Sequence, residues 1–143
     1  LGPFQVPFEI FIPQRLDGFL VAEKNLSMSR LASGALRLQP ITMLTGQAVG
    51  TIAALAVKEG VQPRNVSVLK VQRLLLESGD RLALCVYKDV PSDHPFWAAV
   101  QLATVRGWME PKSLPTFAAQ RVDNYNDMLQ ASKKGRTRHI WRG

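Results

Sequence analysis

The chain has 143 residues, 46% of them hydrophobic, with 18 Lys or Arg against 11 Asp or Glu, a net charge of +7 and a pI near 10.1. That length suits one ordinary domain, or one domain with a small appendage, and the apolar content suffices for a core. A single cysteine, Cys85, excludes an internal disulfide and any multi-cysteine metal cluster; His94 and His139 have no paired ligand spacing, so no metal is expected.

Phe4–Ile12 is rich in β-formers but is broken by Pro3, Pro7 and Pro13, which predicts an edge strand or extended segment. Asp17-Gly18 reads as a turn, and Phe19–Ala22 as a short buried strand without a polar face. Glu23–Leu38 is a polar connection with room for a helical turn; its Ser27, Ser29 and Ser33 are read as ordinary loop hydroxyls. A long helix follows from about Pro40 to Gly60, apolar nearly all round and therefore expected to be buried. Gly60 suits a left-handed cap, Val61 its hydrophobic contact, and Pro63 prevents continuation.

Asn65 or Ser67 is expected to cap a second helix running through Ser78, with Val68, Val71 and Leu75 on one face and Gly79 ending it. Leu82–Val90 fits either a strand or an extended linker, and Cys85 within it reads as a buried inert thiol. A third helix is predicted from near Asp93, with Pro95 in its first turn, to Gly107. A fourth, about Thr116–Ser132, carries the stripe Ala118, Val122, Tyr125 and Leu129. Trp97 and Trp108 are expected to fill a core between these last two helices. From Arg121 onward six basic residues face two acidic ones, and the stretch Lys133–Arg142 reads as a solvated basic tail. The likeliest boundary lies around Gly79–Asp89. The expected organisation is 1–79, a helical appendage over 80–132, and the tail over 133–143.

The stretch Arg37–Gly50 carries most of the functional signal. Its helix start is expected to leave backbone N–H groups unpaired and to concentrate partial positive charge, a docking point for an anion or an electron-rich ring edge. Gly46 and Gly50 lie on one helical face, where a neighbouring backbone or a flat cofactor could approach. Arg37 could clamp a phosphate or a substrate carboxylate, or sit in a structural salt bridge. A membrane-inserted helix packing through Gly46 and Gly50 is the weaker alternative, because Thr, Gly and Gln interrupt the ~20 apolar residues such a span needs.

The ordered features Ile12-Pro13-x-Arg15, Phe19-Leu20-Val21-Ala22 and Arg37…Pro40…Gly46-Gln47-Ala48-x-Gly50 resemble the C-terminal part of one family of FAD-dependent oxidoreductases. That family belongs to the glutathione-reductase-like flavoprotein group, of the xanthan-lyase-associated type. The resemblance covers roughly Phe4 to Leu76. It implies an α+β, predominantly helical piece: a short β element plus a buried helix from an α/β flavoprotein, followed by the helical appendage. It also implies that the strand end and the helix start close over the flavin, with candidate contacts at Ala22, Glu23, Lys24, Thr42, Met43, Thr45, Gly46 and Gln47. A helix start of that kind would favour the negative charge of a reduced flavin edge.

Two features depart from the family pattern. Glu23-Lys24 stands where many members have glycine followed by arginine or aspartate. The G-x-G-x-x-G fingerprint that cradles a pyrophosphate occurs nowhere in the chain. The remainder of an FAD-binding domain is therefore expected upstream of Leu1, with FAD present in the complete protein and an unknown small-molecule substrate. Neither FAD binding nor catalysis is expected of these residues alone.

The segment from Tyr87 to Met109 is similar to the opening of an S-layer homology module. It matches at Asp89, Val90, Pro91, His94, Trp97, Ala98, Leu102 and Gly107. This keeps a second class in play, a non-enzymatic helical interaction or cell-surface attachment module, with an exported location if that similarity is real. No Ser/His/Asp order, G-x-S-x-G elbow or carboxylate pair appears, which a flavoenzyme does not require because the cofactor performs the redox step. No nucleic-acid partner and no membrane span are expected.

Overall fold

The computed structural model describes residues 4–109 and the backbone of 122–123. They are predominantly helical, in line with the expected fold class, and divide into two compact units. One is Val6–Leu75; the other takes in the residues from Leu76 onward together with Phe4 and Gln5.

The first unit contains α1 (Arg30–Leu36), α2 (Gln39–Glu59) and most of α3 (Val68–Glu77). Ser29 caps α1 through its side chain, which accepts from Ala32 N–H at 3.2 Å. Leu38 precedes α2 in an extended conformation, and Pro40 sits in the first turn, where its missing N–H costs nothing. At the far end Gly60 is left-handed (φ 65°), and Val61 N–H donates to Ala56 carbonyl at 3.0 Å, which closes the helix as expected. Ser67, rather than Asn65, holds the cap position of α3, since its carbonyl takes the first bonds from Lys70 and Val71. Gly79 (φ 90°) follows as the chain leaves that helix.

The core of this unit is Phe11, Leu26, Ile52, Leu55, Ala56, Val66 and Val71. Within Phe4–Ile12, expected as an edge strand or extended segment, Phe8–Phe11 is a 3-10 turn flanked by extended Pro7 and Ile12. Pro7 and Pro13 bracket it, and Ile10 and Ile12 donate back to Pro7 and Glu9 carbonyls instead of to a neighbouring strand. Phe19–Ala22 is likewise no strand. Its link to the earlier segment is Val21 N–H to Phe11 carbonyl at 2.9 Å, and Phe19 is exposed. The β element therefore lies in the other unit.

There Val86–Tyr87 (β1) pairs in parallel with Val122–Asp123 (β2), Val86 opposite Val122. Val122 and Asp123 are thus extended, against the expectation that a fourth helix covers them; the rest of Thr116–Ser132 and the basic tail lie outside the described residues. α4 (Trp97–Val105) begins four residues later than expected. Asp93–Phe96 forms turns instead, held by His94 N–H to Pro91 carbonyl and Phe96 N–H to His94 Nδ1. Cys85, Tyr87, Val90 and Val100 form a small core with Trp97 and Met109 against it. Trp108 is 65% exposed, with Arg106 5.6 Å from its ring centroid, so of the two tryptophans only Trp97 packs on this core.

Candidate functional site

Helix α2, about 32 Å long at 1.5 Å per residue, is the frame of the candidate site. Its start supplies fewer donors than expected. Pro40 has no N–H, and Ile41 and Thr42 both donate to Leu38 carbonyl, at 3.0 and 2.9 Å. Gln39 N–H is thus the one first-turn amide without a protein acceptor among the described residues. Thr45, Gly46 and Gln47 lie seven to nine residues into the helix, counting Gln39 as the first, so their amides are inside the ladder and not at its open end.

The candidate residues on α2 also divide between two faces. Thr42 and Thr45 are buried, and each hydroxyl donates to a helix carbonyl at 2.8 Å: Thr42 to Gln39, and Thr45 to Thr42. Together with Ile52, Leu55 and Ala56 they form the inward stripe. Met43 and Gln47 are exposed on the other side, where Gly50, Ala54 and Val57 continue an open apolar strip. Met43 is 68% and Val57 83% exposed. The two sets face different sides of the helix. The all-round apolar helix is half covered, because its own unit supplies packing partners to one side.

Gly46 lies at the seam between the faces. A Cβ built there would meet Glu23 Oε1 at 3.4 Å and Glu23 Cγ at 3.8 Å, whereas nothing stands within 4 Å of Gly50. The chain reaches this point in extended form at Ala22 (φ −137°, ψ 161°) and then turns through Glu23–Asn25. Glu23 is left-handed, φ 56°, and is the one non-glycine residue with positive φ among the described residues. Such a conformation costs a residue with a Cβ about 1–2 kcal/mol. The structure therefore brings Glu23 beside Gly46 and the turn Glu23–Asn25 against α2, though no strand is present.

Arg37 caps the C-terminal end of α1, with its backbone N–H on Ser33 carbonyl at 3.1 Å and its side chain exposed. No carboxylate pairs with it among the described residues. Cys85 is buried as expected, and the described residues contain no cluster able to hold a metal. By length and composition α2 could cross a membrane. Its buried stripe, however, forms the centre of its own unit's core.

Two anchoring side chains carried no sequence signal. Arg64 ties the 3-10 turn Pro63–Asn65 to the loop before Phe19. It donates to Pro13 and Leu16 carbonyls at 3.2 and 3.0 Å and pairs with Asp17 at 2.6 Å. Gln101 is buried and accepts from the Leu82 and Ala83 amides at 3.1 and 2.8 Å. A local pattern cannot mark either, since both partners lie far away in sequence.

Against a flavin, the open side of α2 fits in part. Met43, Gly50 and Ala54 offer an apolar floor, and Gln47 and Lys24 add exposed polar groups. The G-x-G-x-x-G fingerprint of a diphosphate cradle occurs nowhere in the sequence. The model of the family described as FAD dependent oxidoreductase matches residues 1–75. No curated protein and no solved structure matches the chain.

Proposed function

The chain belongs to the family of FAD dependent oxidoreductases, and from that premise we propose that its first 79 residues form the C-terminal portion of such an enzyme's flavin domain. The proposed type is glutathione-reductase-like and xanthan-lyase-associated. The observation that carries this reading is the open, glycine-containing side of α2, at the seam where Glu23 meets Gly46. An apolar strip with room for a flat ring, in a family that uses FAD, has an occupant of the right shape.

In this reading Met43, Gly46 and Gln47 lie under or beside the ring, Lys24 near the cofactor's middle, and Thr42 and Thr45 support the helix from within. FAD, when bound, supplies the electron transfer to or from a small-molecule substrate. The protein's part is to hold the ring, keep water from it and set the field around it. The phosphate cradle comes from the remainder of the FAD-binding domain, and residues 80–132 form an appendage outside the redox chemistry. The exposed ring of Trp108 under Arg106 favours a second reading of that appendage alone, as an S-layer homology-like attachment surface.

Gel filtration with FAD tests the proposal. The purified chain alone is expected to emerge colourless. Produced together with a family member's strand–G-x-G-x-x-G–helix half, it is expected to emerge yellow and in complex. Failure to form a yellow complex in that second case would overturn the reading.

A further inference from the structure

We draw no further inference here: the strongest candidate, the uncovered apolar strip of α2 at Met43, Gly50, Ala54 and Val57, belongs to the face already read above, and nothing in the structure shows what else would cover it.

Discussion

Around α2, a 21-residue helix buries one stripe into its unit's core and leaves Met43, Leu44 and Val57 in solvent. Around α4, a nine-residue helix and a two-residue strand enclose a much smaller core, and a buried Gln101 takes up two loop amides. The first unit depends on apolar burial and satisfies its buried hydroxyls locally, within the helix. The second depends on a polar clamp reaching 18 and 19 residues along the chain. A unit of the first kind can keep a bare face for something else to cover, because its backbone is already satisfied. A unit of the second kind loses its loop if one side chain goes.

The largest break in this comparison is Ile52→Ala. Ile52 is 1% exposed at the centre of the first core, and its truncation should cost about 2–5 kcal/mol, read by urea unfolding. Gln101→Leu comes next. It strands the Leu82 and Ala83 amides and should cost about 2–3 kcal/mol, with hydrogen exchange accelerated at those two amides. A cost below 0.5 kcal/mol, on the order of an ordinary surface change, would dissolve the contrast between the units.

Arg64→Ala removes two carbonyl contacts and a partly exposed ion pair, and should cost about 1 kcal/mol, measured as a lowered unfolding midpoint. Glu23→Gly should stabilise by about 0.5–1 kcal/mol, since relief of the left-handed strain exceeds the extra freedom glycine gives the unfolded chain. Destabilisation would mean that the Glu23–Gly46 contact outweighs the strain. Smallest of all, Val57→Ser should change stability by less than about 0.5 kcal/mol. A larger loss would show that the open side of α2 is covered in solution.

Helix ends were legible in the residues because they are local chemistry. Pro40 at the start of α2, Gly60 and Val61 at its end, and Ser67 before α3 each act within a turn of where they stand. The 3-10 turn at Phe8–Phe11 was not legible, because β-forming side chains make a strand only when a neighbour offers hydrogen bonds. The approach of Glu23 to Gly46 was legible in the order of the motifs, whereas the pairing of the first-turn amides was not, because it depends on Leu38 carbonyl taking both Ile41 and Thr42.

What the sequence determined by itself is therefore α2 and α3 with their caps, and the family whose model matches residues 1–75, properties of short-range pattern. The tertiary structure alone decided which side of α2 is covered. A helix apolar nearly all round carries little directional information, and the packing of Phe11, Leu26, Val66 and Val71 with Ile52, Leu55 and Ala56 selects the inward face. It also decided that Glu23 would bend into a left-handed turn, a conformation that no property of glutamate favours and that the surrounding fold imposes.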